Sequence, residues 1–269
     1  MPTFTHDGLT FHYRDVGDGV PFLFQHGLGA DTSQTFSLYC PPNGIRLITL
    51  DCRGHGLTTP LGPVEKLTIP QFAADIAVLL DHLKLERAVI GGISMGAAAS
   101  LHLALTQPER FLGLVLSRPA WLDEPRGSSF EIFGVVAQLI RRYGAWEGAI
   151  RFQASEIFQT INAASPDNAL SLLAQFAHPR AEETVAKLEW IPKHHPSHPR
   201  EGWRNLRMPT LVLGNRLDAI HPFEFAEEHA RTIPGALLRE LTPKSVDKEQ
   251  HTADTQRFLD DFLTQFRTT

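Results

Sequence analysis

Short apolar runs recur along the chain, and most are separated by stretches with helical periodicity. At the amino end, two alternating runs flank the turn Asp7-Gly8, which predicts a β-hairpin. Six further apolar runs bring the predicted sheet to eight strands. The predicted strands are Thr3–His6, Leu9–Asp15, Val20–Gln25, Ile45–Leu50, Ala88–Gly91, Leu112–Ser117, Thr210–Gly214 and Leu237–Leu241.

Apolar residues spaced three and four apart indicate helices between these strands. One such face runs from Phe72 to Leu83, and another runs from Phe258 to Phe266 at the carboxyl end. Residues 97–105 and 223–232 are also predicted to be helical. This alternation predicts an α/β protein with a mostly parallel, twisted eight-stranded sheet and helices on both faces.

The alternation stops between Pro119 and about Arg207, where no strand is predicted. Three helix-forming stretches fill this segment, which ends in a region rich in proline and histidine at 192–199. We interpret the segment as a helical cap over the functional site. The predicted cap helices are Phe130–Tyr143, Trp146–Ile161 and Ala181–Trp190. The predicted division is a first core part at 1–118, the cap at 119–207 and a second core part at 208–269.

Composition narrows the function classes. The 269 residues suit one large domain with an insertion, and the 25 basic and 30 acidic residues are mixed along the chain, for a net charge of −5. We therefore expect a small-molecule substrate and neither nucleic acid nor membrane as a partner, and leave a homodimer open. With no apolar leader or membrane-length run, the expected location is cytoplasmic, and Cys40 and Cys52 are expected to be reduced.

The sequence Gly92-Ile93-Ser94-Met95-Gly96 lies between a predicted strand and a predicted helix. A G-x-S-x-G motif on such a turn displays a serine nucleophile on a strained backbone, and the two glycines allow the strand and the helix to approach each other. Ser94 is therefore the predicted nucleophile.

A serine nucleophile needs a histidine base, and that base needs a carboxylate. Asp218 follows the predicted strand Thr210–Gly214, at the sheet edge where ligands bind, and is the predicted acid. His251 lies after the last strand, so Ser94, Asp218 and His251 occur in the chain order Ser, Asp, His. His221, only three residues beyond Asp218, and His229, within a predicted helix, rank below His251 as the base.

Acyl transfer also needs two donors for the oxyanion. The backbone N–H groups of Met95, after the nucleophile, and of Leu28, in His26-Gly27-Leu28-Gly29, are the predicted pair. We assign His26 to the packing of this loop.

With His26-Gly27, the Ser94 turn and the loop Asp51-Cys52-Arg53-Gly54-His55-Gly56, nearly the whole chain resembles an α/β-hydrolase. The resemblance implies the α/β-hydrolase fold and assigns the loop residues Asp51, Arg53 and His55 to loop architecture. Among capped members, the chain resembles enol-lactonases, carbon–carbon bond hydrolases of meta-cleavage pathways and cofactor-free haloperoxidase-like esterases. It departs from the family pattern in having no glycine directly before His251.

The predicted function is a serine hydrolase that cleaves a small ester, lactone or related carbonyl compound through an acyl-serine, with no cofactor. Carbon–carbon bond hydrolysis and peracid formation are alternatives that use the same residues. An alternative of a different class is a ligand-binding or receptor protein of the same fold with little turnover.

Substrate contacts are predicted from position. Arg118, after the strand ending at Ser117, could pair with a substrate carboxylate. Aromatic residues of the predicted cap could form an apolar pocket: Trp121, Phe130, Phe133 and Trp146. His194, His195 and His198 lie among prolines without carboxylates, so no metal site is predicted there.

Overall fold

The computed structural model describes residues 2–124, 126, 130–194 and 198–267. The strands of its sheet are β1 (Thr3–His6), β2 (Leu9–Gly17), β3 (Val20–Gln25), β4 (Ile45–Leu50), β5 (Ala88–Ile93), β6 (Phe111–Ser117), β7 (Thr210–Gly214) and β8 (Leu237–Glu240). They lie in the order β1-β2-β4-β3-β5-β6-β7-β8. Strand β2 is antiparallel to β1 and β4, and the pairs from β4 to β8 are parallel. The predicted eight-stranded, mostly parallel sheet is confirmed.

Helices cover both faces of this sheet. They are α1 (Thr32–Leu38), α2 (Ile69–His82), α3 (Met95–Thr106), α4 (Glu131–Gln153), α5 (Glu156–Ala164), α6 (Pro166–Ala177), α7 (Ala186–Trp190), α8 (Phe223–Thr232) and α9 (Lys248–Thr264). Successive strand residues point to opposite faces, so Val115 packs in the apolar cluster that contains α9 residues, whereas Leu114 and Leu116 pack in the cluster that contains α2 and α3 residues. This two-sided burial explains why the strands read as continuous apolar runs.

Strand β5 is longer than the sequence predicted. Gly92 and Ile93 pair with Leu116 and Ser117 of β6, so the strand continues to the residue before Ser94. A glycine run disfavours a strand by itself, but pairing on both edges holds this one in the sheet.

Between β6 and β7 the chain forms α4 to α7, which span residues 131–190 within the predicted cap at 119–207, and we call these four helices the cap. Helix α4 bends at Gly144, which has φ 75° and ψ 173°, near the predicted break. Helix α6 was not predicted, although Ser165-Pro166-Asp167 is a typical helix start. Among the described residues, no helix has the length and apolar character needed to cross a membrane.

Candidate active site

Ser94 lies on the turn between β5 and α3, with φ 55° and ψ −109°. This left-handed backbone is unusual for a residue with a side chain, and the Ser94 N–H donates to Ser117 O at 2.9 Å. The two motif glycines are required by packing: a Cβ on Gly92 would lie 2.3 Å from Gly96 C, and one on Gly96 would lie 2.5 Å from Gln25 O. The predicted strand-turn-helix geometry around Ser94 is present.

The Ser94 hydroxyl contacts His221. Its Oγ lies 2.9 Å from His221 Nε2, and His221 Nδ1 lies 2.9 Å from Asp218 Oδ1. A carboxylate only accepts hydrogen bonds, so Nδ1 carries the proton and Nε2 accepts from the Ser94 hydroxyl. The structure thus brings Ser94 and Asp218 together through His221, in the hydrogen-bonding pattern of a Ser-His-Asp triad.

The sequence prediction that His251 joins Ser94 to Asp218 is not what the structure shows. Helix α9 begins at Lys248, where Asp247 accepts a hydrogen bond from the Gln250 N–H, so His251 lies inside the first turn and not in a loop. Its Nδ1–H donates to Thr242 O at 2.8 Å, and its side chain is buried. His251 therefore holds the loop after β8 to α9.

His221 was ranked low because it is only three residues from Asp218. The loop after β7 makes this short separation possible, because Asp218 Oδ1 also accepts the His221 backbone N–H at 3.0 Å. This local hydrogen bond closes a tight turn at residues 218–221, so the His221 imidazole lies against the Asp218 carboxylate. A sequence feature that points to His221 is its position directly before Pro222. This proline ends the loop and precedes the first residue of α8, so His221 lies in the loop and not in the helix.

Arg118 supports Asp218 from the other side. Its Nε donates to Asp218 Oδ2 at 2.6 Å, and the Asp218 side chain is almost fully buried. Burial alone would raise the pKa of Asp218, but the cation of Arg118 and the contact with His221 hold that pKa well below its usual range. Arg118, which was predicted to pair with a substrate carboxylate, thus already binds an acid of the protein.

The environment of His221 favours its neutral form. Burial is the main cause that lowers its pKa, and Arg118 lowers it further, whereas Asp218 acts in the opposite direction. A neutral imidazole is the form that can accept the Ser94 proton.

The loop after β3 lies against Ser94. A Cβ on Gly27 would be 3.5 Å from Ser94 Cβ, and the Gly27 N–H is already used, since it donates to Gln34 Oε1 at 2.8 Å. His26 fixes the loop: its Nδ1–H donates to Gly27 O, and its Nε2 accepts from the Cys52 N–H. Within the described part of the chain, no acceptor pairs with the N–H of Leu28 or of Met95. Both predicted oxyanion donors therefore remain available.

Helix α6 of the cap is fixed to the loop that carries Asp218 and His221. Ser165 Oγ donates to Leu217 O at 3.0 Å, and the Ile220 N–H donates to Asn168 Oδ1 at 2.9 Å. The cap therefore adjoins the site through hydrogen bonds on both sides of Asp218.

The predicted aromatic residues divide between core and surface. Trp121, Phe130 and Phe133 are buried, and the Trp121 and Phe130 rings meet edge to face at 4.9 Å. Trp146 is 78% exposed, so the prediction that it lines an apolar pocket is wrong. Its place on the outer side of the kinked α4 explains the error, because aromatic spacing alone does not tell which side of a helix is covered.

Phe130 borders a cavity of about 910 Å³ whose walls also include Arg126, Val135 and Trp190. The Arg126 guanidinium donates to Ile220 O, next to His221, at 3.0 Å. One wall residue of the cavity, Arg126, which sequence analysis did not single out, thus binds the loop of the candidate base.

Two of the histidines at 194, 195 and 198 have aromatic neighbours among the described residues. His195 lies outside the described residues, His194 stacks near Trp190, and the His198 ring is 4.7 Å from that of His102. No group of three or more potential metal ligands occurs among the residues that the structure describes.

Known proteins share this sequence pattern and fold. Residues 20–243 match the family model described as the alpha/beta hydrolase fold. A proline iminopeptidase of Neisseria gonorrhoeae is 28% identical over 252 residues, covering 82% of this chain and 81% of the relative. A probable proline iminopeptidase of Leptolyngbya boryana is 36% identical over 110 residues, covering 40% of this chain but only 34% of the relative.

A solved structure extends the likeness to the whole chain. The enol-lactonase from Burkholderia xenovorans LB400 superimposes with a TM-score of 0.73 at 25% identity, covering 98% of this chain and 100% of the other. The family model spans most of the chain, and the fold agrees along its length. The protein is therefore an enzyme of the α/β-hydrolase family.

Proposed function

We propose that the protein is a serine hydrolase that cleaves a small ester or lactone through an acyl-serine at Ser94, with His221 as general base and Asp218 as its orienting acid. The observation that carries this proposal is the continuous chain of hydrogen bonds from Ser94 Oγ through both nitrogens of His221 to Asp218. The likeness to an enol-lactonase supports lactones within this substrate class.

In the first half-reaction, His221 Nε2 takes the Ser94 proton as Oγ attacks the carbonyl carbon. The carbonyl oxygen becomes negative between the Leu28 and Met95 N–H groups, and the Asp218 carboxylate stabilises the imidazolium through Nδ1–H. The tetrahedral intermediate collapses when Nε2–H protonates the leaving alkoxide, which departs as an alcohol. In a lactone this alcohol stays attached to the acyl group.

In the second half-reaction, neutral His221 deprotonates a water molecule that attacks the acyl-serine carbonyl. The same two N–H groups hold the second oxyanion, and Nε2–H returns a proton to Ser94 Oγ as the ester bond breaks. The products are the free carboxylic acid and the original Ser94.

The relatives named proline iminopeptidases give a second candidate, the release of proline from an amide or peptide. The match with the Neisseria gonorrhoeae protein covers 82% of this chain, so it includes both core and cap. The same triad would serve, since only the leaving group changes from alkoxide to amine. Comparing prolyl 4-nitroanilide with 4-nitrophenyl butyrate separates the two candidates by their kcat/KM values.

The test of the proposed nucleophile is covalent labelling with a fluorophosphonate, followed by peptide mapping. We expect one adduct per chain on the peptide that contains Ser94, because Nε2 of neutral His221 makes this hydroxyl nucleophilic. Heat-denatured protein is the control and should not be labelled. Folded protein without an adduct, or with its adduct on another serine, would contradict the proposal.

Arg118→Met should move the acid limb of the pH profile of kcat/KM to higher pH. The Arg118 cation lowers the pKa of His221, so its removal raises that pKa, and the base becomes protonated at a higher pH than in the wild type. At pH 8 we expect a loss of about tenfold or less, because Asp218 keeps its bonds to His221.

The matched control is Arg46→Met, which removes an arginine bound to Asp15 on the outer part of the sheet. This variant should leave the acid limb where it is in the wild type. An acid limb that stays in place in Arg118→Met, or that moves to lower pH, would show that Arg118 does not act on the base.

A further inference from the structure

Gln175 of the cap lies directly on the loop that carries the candidate oxyanion donor Leu28. A Cβ built on Gly29 would lie 1.7 Å from Gln175 Oε1, and Gly29 has φ +73°. A side chain at position 29 would therefore collide with the Gln175 amide. Gly27, two residues earlier, faces Ser94, so Gln175 packs on the same loop that lies against the candidate nucleophile.

The orientation of the Gln175 amide is determined by its neighbour. Nε2 donates to Ser171 O at 3.1 Å, and a carbonyl oxygen only accepts, so the NH₂ group must be on that side. Oε1 then points away from Ser171 towards Gly29. Oε1 is buried, and Gln175 as a whole is only 6% exposed. No donor among the described residues binds Oε1.

An unpaired buried acceptor is costly, by about 1–3 kcal/mol, and is therefore uncommon in a folded protein. A leucine or methionine would fill the same space without this cost. The amide at this position is explained if its acceptor is used when substrate is bound.

Helix α6 connects Gln175 to the base. Asn168, near its amino end, binds the Ile220 N–H beside His221, and Gln175 lies seven residues further along, about 10 Å at 1.5 Å per residue. Asn168, Leu172 and Gln175 lie on one helical face, and all three are buried. This face extends from the loop of Asp218 and His221 to the loop of Leu28, with apolar Leu172 between two polar residues.

We propose that Gln175 is a specificity-determining residue whose Oε1 accepts a hydrogen bond from a hydroxyl or N–H group of the substrate near the scissile carbonyl. The inference rests on the proposed function, since it assumes that the carbonyl is held at Leu28 and Met95. It narrows the substrate class to esters and lactones that carry such a donor, for example those of hydroxy acids. Because Oε1 can only accept a hydrogen bond, this contact selects for a donor on the substrate.

The experiment compares 4-nitrophenyl butyrate with the 4-nitrophenyl esters of 2- and 3-hydroxybutyrate in wild type, Gln175→Met and Gln175→Glu. The measured quantity is the ratio of kcat/KM for the better hydroxy ester to kcat/KM for the butyrate. We expect Gln175→Met to lower this ratio by about tenfold, the value of one neutral hydrogen bond at its upper limit. Gln175→Glu keeps an acceptor and should preserve the preference.

Gln153→Met is the matched control, because Gln153 is an exposed glutamine of the same cap. It should leave the ratio unchanged. A ratio within twofold of wild type in Gln175→Met, or an equal loss for all three esters, would overturn the proposal. In the second case Gln175 would act only through the structure of the cap.

Fluorophosphonate labelling of the same variants separates this proposal from the proposed function. Labelling of Ser94 in wild type and in Gln175→Met, together with an unchanged ester ratio, would refute the role of Gln175 alone. Wild type that is neither labelled nor active on any ester would refute the proposed function, and with it the inference about Gln175.

Discussion

His221→Ala is expected to lower kcat/KM for ester hydrolysis by about 10⁶-fold, the size of the loss when the base of a Ser-His-Asp unit is removed. The reason is geometric. Among the described residues, His221 is the histidine that joins the two groups, since its Nε2 lies 2.9 Å from Ser94 Oγ and its Nδ1 lies 2.9 Å from Asp218 Oδ1. Ser94→Ala should cost about as much, because a nucleophile and its base act as a unit. Single-turnover and steady-state assays on an activated aryl ester measure both losses.

His251→Ala is the matched control, since it also removes a buried histidine near the carboxyl end of the sheet. It breaks the bond from His251 Nδ1 to Thr242 O, and we expect a loss of stability of about 1–3 kcal/mol with kcat/KM changed less than about tenfold. Thermal unfolding of both variants shows whether a loss of activity reflects loss of fold. If His251→Ala were inactive while folded and His221→Ala kept substantial activity, the base would be His251, as the chain order predicted.

Asp218→Asn is expected to lower kcat/KM by about 10⁴-fold. The carboxylate accepts hydrogen bonds at both oxygens, from His221 at Oδ1 and from Arg118 at Oδ2. An asparagine has only one acceptor oxygen. If its NH₂ group faces His221, the imidazole must take the tautomer with the proton on Nε2, which cannot deprotonate Ser94. If its NH₂ group faces Arg118, two donors meet and the positive charge near His221 is no longer balanced.

A double variant tests this explanation. With Arg118→Met also present, the asparagine oxygen is free to face His221, so Asp218→Asn in that background should cost less than in wild type. Equal costs in the two backgrounds would show that Arg118 does not determine the amide orientation. Asp254→Asn serves as the control, because this buried carboxylate binds Thr242 outside the site and should affect stability but not the chemical step.

Local sequence was sufficient to single out Ser94 as the candidate nucleophile. The G-x-S-x-G spacing on a strand-to-helix turn can be read within five residues, and Gly92 is required by Gly96 within the same motif, although Gly96 itself is required by its contact with Gln25 of the adjacent strand β3. The same holds for the strands, because burial on both faces leaves apolar runs that can be read directly, as in Leu114, Val115 and Leu116.

The base could not be chosen in this way. Chain order favoured His251, but that histidine lies in the first turn of α9 and binds Thr242, whereas the loop after β7 directs His221 towards Ser94. Gln175 was missed for a similar reason, since its helix was not predicted and its contact with Gly29 joins positions 146 residues apart.

The sequence by itself thus determined the α/β fold, the strand order along the chain, the candidate nucleophile Ser94 and the candidate acid Asp218 at the end of β7, because each depends on periodicity or on a local turn. The tertiary structure decided which histidine meets Ser94, that Arg118 binds Asp218, and which cap residues adjoin the site. Those contacts depend on side-chain directions and on packing between distant segments, and neither is encoded in the spacing of residues along the chain.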